Sequence, residues 1–169
     1  MLRHHRLFAA AGALVTAAAI ALSGVMAASA APAGLRAAVA GTENFQAMST
    51  SATGAPKVIA SGVFTQAGVD HEGSHNTGTF VFPNGTITVK HSPGTGTQTF
   101  NPKTCLLQVN LHGTYKLLGG TGAYQGISGS GTYKLSILSI GAKSGGTCTR
   151  IKPPVAFQQL IQASGPVTL

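Results

Sequence analysis

Acidic residues are almost missing from this chain. Glu43, Asp70 and Glu72 are the only three, against eleven lysines and arginines, so the formal net charge is +8. Asp70 is the single aspartate, and no Ser-His-Asp set is recognisable although serine is abundant. The basic residues stand singly, and no run of them interleaves with aromatic residues as a nucleic-acid site requires. A capped helical period is also missing beyond the first thirty residues, which argues against helical layers. Only one apolar run is long enough to cross a bilayer, and it stands at the N-terminus. Cysteine is limited to Cys105 and Cys148. In an exported chain such an even pair favours one disulfide, with two free thiols as the alternative.

The N-terminal run has the form of an export signal. Arg3, His4, His5 and Arg6 make a basic start, residues 7–26 are almost wholly apolar, and Ala28-Ser29-Ala30 is a small-residue cleavage site. Residues 1–30 are therefore expected to be a signal peptide and the protein to be secreted, with an uncleaved anchor as the alternative. Loss of Arg3 and Arg6 leaves nine basic residues against three acids, a net charge of +6. A Cys105–Cys148 bridge would stabilise the fold by roughly 4 kcal/mol on a chain-entropy account. The basic surface is read first as a solubility feature, and second as a means of loose attachment to an anionic cell-envelope polymer.

Residues 31–55 are expected to be a flexible lead-in, with 45–49 a candidate sheet edge, and 56–169 a β-barrel domain. Strands are expected at 58–66, Thr77–Phe82, 86–91, 105–118, 132–140 and 167–169, from β-branched and aromatic content and alternation. Residues 155–163 fit helix or strand on pattern alone and are read as strand because the rest of the chain is strand and glycine. Asn84-Gly85 is the strongest hairpin signal, because it supplies the positive-φ residues of a type I′ turn. Residues 67–76, 92–103 and 142–154 read as loops, and Gly113 as a bulge or bend. Seven or eight strands with short connections imply a sandwich or a closed barrel, and closure removes exposed edges.

One stretch organises the rest. Residues 119–131 hold Gly119, Gly120, Gly122 and Gly126, and Gly-Thr-Tyr-Lys-Leu occurs on either side, at 113–117 and 131–135. The run reads as a connection between two similar strands, with its glycines at positive-φ or close-approach positions. Leu118-Gly119-Gly120-Thr121-Gly122-Ala123-Tyr124-Gln125-Gly126, followed by Ser128-Gly129-Ser130-Gly131-Thr132-Tyr133, resembles the allene oxide cyclase and dirigent barrel superfamily, in particular its small secreted bacterial members. The resemblance implies an eight-stranded antiparallel barrel with a central cavity. Plant relatives use that cavity for an apolar or phenolic ligand, and many of them are oligomers. Their chemistry leans on charged and polar groups inside the cavity, whereas no strand expected here carries an acid. The fold is therefore carried over, and the cyclase or coupling activity is not.

His71-Glu72-Gly73-Ser74-His75 matches H-E-x-x-H. Zinc chemistry needs that motif on a helix, and the surrounding glycine, serine and asparagine are poor helix formers. A catalytic zinc is not expected. Asp70, His71, Glu72 and His75 remain weak candidates for an adventitious cation in a loop. Gly120-Thr121-Gly122 lacks the third glycine of a dinucleotide site, and no cofactor is implied. Phe64, Phe80, Phe82, Tyr115, Tyr133 and His112 are the ligand-cavity candidates, with filling of a small barrel as the plainer role of the aromatics. The expected function is a secreted β-barrel binding or structural module that holds a small apolar ligand. The alternative is an isomerase or cyclase acting on such a ligand in the barrel. Two polar groups converging inside an open cavity would favour the enzyme.

Overall fold

Alternation writes the barrel wall. In Glu43-Asn44-Phe45-Gln46-Ala47-Met48-Ser49 every second residue, from Glu43 to Ser49, is buried. That period of two places one set of side chains on the inside. The computed structural model describes residues 38–169, so the expected signal peptide lies outside the described residues. Eleven strands follow: β1 (Ala40–Ser49), β2 (Lys57–Ser61), β3 (Thr65–Glu72), β4 (Thr77–Phe82), β5 (Gly85–His91), β6 (Thr95–Asn101), β7 (Leu106–Gly120), β8 (Ser128–Ile140), β9 (Lys143–Ser144), β10 (Thr147–Cys148) and β11 (Ala156–Thr168). The described residues form no α-helix; one 3-10 turn spans Gly122–Tyr124.

Eight antiparallel strands close the barrel in the order β5-β4-β3-β2-β1-β11-β8-β7, with β7 returning to β5. β1 is the seam between the chain ends, paired to β11 from Ala40↔Thr168 to Ser49↔Gln159 and to β2 on its other side. Part of the stretch expected to be a flexible lead-in is thus a central strand. β5 and β6 share one edge of β7, β5 beside Tyr115–Gly120 and β6 beside Leu106–His112. β6, β7, β8 and β11 therefore rise past the other strands as a tall wall on one side of the barrel. Its tip carries the turn at 102–105 and the segment 141–155, joined by the Cys105–Cys148 disulfide with a Cα–Cα distance of 5.5 Å.

The end opposite the tip is plugged. Thr121 fastens the glycine-rich connection to the β4–β5 hairpin: its N–H donates to the Thr86 carbonyl at 2.9 Å, and its hydroxyl accepts from the Thr86 N–H at 3.1 Å. The following turn drives Tyr124 and Ile127 into the barrel, each 2% exposed. Tyr124 meets Phe64 at 4.9 Å and Phe82 at 5.4 Å between ring centroids, and Phe45 meets Phe80 at 5.1 Å. Each aromatic removes a large apolar area from water and gains a little more from tilted packing. Gly122 takes φ +60°, and a Cβ there would collide with the Asn84 carbonyl oxygen.

Two turns differ from expectation. Pro83 and Asn84 form the β4–β5 turn, and only Gly85 takes positive φ there. The type I′ signature of two positive-φ residues falls instead at His75 and Asn76, φ 57° and 58°, between β3 and β4. Gly113 lies in unbroken register with Tyr133, so it is no bulge. The Tyr133 ring packs where its Cβ would stand. The register shift lies between Thr88 and Val89, where Leu118 of β7 is the extra residue.

Candidate functional site

β3 continues inward alternation through Gly68, Asp70 and Glu72. Asp70 sits opposite Phe80, and Glu72 opposite Gly78. The expectation that no strand carries an acid is therefore wrong. Asp70 and Glu72 lie on β3, Glu43 on β1, and all three carboxylates belong to inward-facing positions. The period was hard to read because polar and charged residues occupy the inward places that apolar ones usually mark.

Above the plugged core the barrel keeps a cavity of about 120 Å³. Its apolar wall includes Phe80, Val89, Leu135, Ile161 and Ala163, and its polar groups come from Asp70, Glu72, His91, Tyr115, Tyr133 and Gln159. It reaches solvent on the side of the tall wall, where the Glu72 side chain is 58% exposed and His91 31%. Asp70 is 5% exposed. Burial, and then the negative charge of Glu72, push its carboxyl up to about 7, while His91 pulls the other way. Asp70 can therefore gain or lose a proton near neutrality.

His91 is held by its other face. Nδ1 lies 3.1 Å from the Ser92 carbonyl, which can only accept, so Nδ1 carries the hydrogen. Nε2 is left as a buried group without a hydrogen-bond partner, 3.8 Å from Glu72 Oε2. The Tyr133 hydroxyl donates to the same Ser92 carbonyl at 2.9 Å, and its ring stands edge-on to the imidazole. The Tyr115 hydroxyl is buried and unpartnered. Burial, with a smaller push from Glu43, raises it to about 12, so it stays a neutral donor. At the plugged end Glu43 is fully buried. One oxygen accepts the Phe64 N–H at 3.0 Å, the other has no partner, and burial raises its carboxyl.

Of the residues singled out from sequence, Phe80, Tyr115 and Tyr133 line the cavity. Phe64 and Phe82 pack in the aromatic plug. His112 points outward from β7, 3.3 Å from the Thr95 hydroxyl. His91, at the end of an expected strand, is the cavity's histidine. The H-E-x-x-H segment is strand and turn. Glu72 faces the cavity, its neighbour His71 alternates to the outer face, and His75 occupies the hairpin turn. Among the described residues no three His, Cys, Asp or Glu side chains gather to hold a metal. No family model, curated protein or solved structure matches the chain.

Proposed function

We propose that the barrel binds a small, mostly apolar molecule with one polar group directed at Asp70, His91 and Tyr115. The observation that carries this reading is the convergence of two unpartnered buried polar atoms, His91 Nε2 and the Tyr115 hydroxyl, with the buried Asp70 carboxyl in a cavity walled in part by Phe80, Val89, Leu135 and Ile161. Buried polar atoms are normally paired, and groups left free in a pocket are those that a ligand can satisfy. At about 120 Å³ and open at one end, the cavity is somewhat smaller than the apolar cavity of about 150 Å³ that accepts benzene, so it suits a ligand no larger than a single ring. The disulfide and the basic, apolar N-terminal run support a secreted setting. The resemblance of 118–133 to allene oxide cyclase and dirigent barrels supports the same use of the interior.

A second reading, acid–base catalysis on that ligand, is favoured by Asp70 titrating near 7 beside a histidine with a free ring nitrogen. A proton donor and a proton acceptor on one cavity wall suit isomerisation or cyclisation through an enol. The test uses p-cresol as a binding probe and cyclohexanone as a reaction probe. Added p-cresol should shift the NMR signals of Phe80, Val89 and Leu135, and Ala163→Phe should abolish the shifts by filling the space. Shifts elsewhere, or none, would remove the binding proposal. Exchange of cyclohexanone α-protons for deuterium, lost in Asp70→Asn, would establish the catalytic reading. Binding without exchange would leave a binding module.

A further inference from the structure

The tip of the tall wall combines cations with exposed aliphatic side chains. Lys103 precedes Cys105 by two residues, and Arg150 and Lys152 follow Cys148. Lys143 reaches across to donate from Nζ to the Lys103 carbonyl at 2.8 Å. All four are exposed. No acid follows Glu72 anywhere in the sequence, so nothing in this tip neutralises them. Ile151, between Arg150 and Lys152, is 95% exposed, and Val155 is 71% exposed.

These side chains stand on a tethered support. The disulfide joins the segment to the β6–β7 turn. Backbone hydrogen bonds of 2.8–2.9 Å from Gly141 to Cys105, from Thr149 to Ala142 and from Val155 to Ile140 hold both ends of the loop. A β-branched aliphatic held out in water on a tied loop gains nothing for the fold. Beside unneutralised cations it has the composition of an interfacial anchor: apolar groups enter the headgroup–acyl boundary while cations meet phosphates.

We propose that this tip docks the protein on an anionic lipid surface, with Ile151 and Val155 entering the interface and Lys103, Lys143, Arg150 and Lys152 facing the headgroups. The proposal rests on the tip alone and stands whether or not the cavity binds a ligand. Docking would turn the cavity mouth, which opens on the same side of the barrel, toward the membrane.

The test is cosedimentation of the disulfide-intact protein with vesicles of phosphatidylcholine, alone or with about a third phosphatidylglycerol, near physiological salt. Binding is expected with the anionic vesicles and little with the neutral ones. Arg150→Gln and Lys152→Gln should each weaken it roughly fivefold, as expected for one cation at a charged bilayer. Ile151→Ser should weaken it roughly tenfold through lost apolar contact. Position 151 is almost fully exposed, so that variant should melt like wild type. Failure to bind anionic vesicles would overturn the proposal. So would anionic binding that Ile151→Ser leaves unchanged while soluble polyphosphate competes fully, since the tip would then be a site for a soluble anionic polymer.

Discussion

At position 70 the alternation of β3 turns a carboxyl away from water and against Phe80. Its pKa of about 7 lies above the 3.8 of an unfolded aspartate, so ionising it works against the folded state. The native chain binds the proton more tightly than the unfolded chain between those values, and stability falls as pH rises from about 4 to 7. Asp70→Asn removes the titration. It should be more stable than wild type at pH 8, by at most about 4 kcal/mol, and should lose that advantage near pH 4. Denaturant unfolding of both proteins across that range measures the difference. A constant difference at every pH would mean that Asp70 is not the group responsible. In the sequence Asp70 and Glu72 read as loop residues, because charged side chains disguise a strand that points them inward. The aromatic lining was more legible, since Phe80 keeps period two with Phe82 and Tyr115 and Tyr133 recur in the duplicated pentapeptide. His91 was not legible as a site residue, because its role depends on the Ser92 carbonyl that fixes its ring.

The glycine-rich connection shows what an element can disclose before its structure is known. Its glycines mark a backbone under special demand, and Gly119, Gly122 and Gly126 do take positive φ. Its partner, the β4–β5 hairpin some 35 residues earlier, becomes visible only in three dimensions. Gly122→Val would meet both the left-handed backbone and the Asn84 carbonyl. It should cost at least the roughly 1–3 kcal/mol of such strain, lowering the melting temperature by several degrees. Ser128→Ala, exposed at the start of β8, should change it little. Thermal unfolding with the disulfide intact compares the two, and equal midpoints would show that the connection tolerates a side chain. β6 escaped the sequence reading for a different reason. All seven of its residues are exposed, so no buried face imposes an apolar alternation, and pairing with β7 alone defines it.

Across the whole molecule the charges are sorted by side. Glu43, Asp70 and Glu72 all point into the barrel, while the lysines of the described strands sit at exposed positions. Lys90 of β5 stands directly opposite Lys116 of β7, and like charges at that spacing repel. With every acid turned inward, no outer carboxylate can relieve the pair. The scattered spacing of single lysines along the chain carries no hint of this, since the pairing depends on the register that closes the barrel. Lys90→Glu should convert repulsion into attraction across one ladder position and raise the melting temperature by about 1–4 °C at low salt. Lys90→Gln should gain less, because it only removes the repulsion. In roughly 1 M salt, where screening acts over about 3 Å, the three proteins should converge. Calorimetry at both ionic strengths decides the cause. A gain that persists in high salt would come from packing or strand propensity. A gain confined to low salt, graded from Lys through Gln to Glu, would show that the outer wall carries unrelieved positive charge as a cost to its own stability.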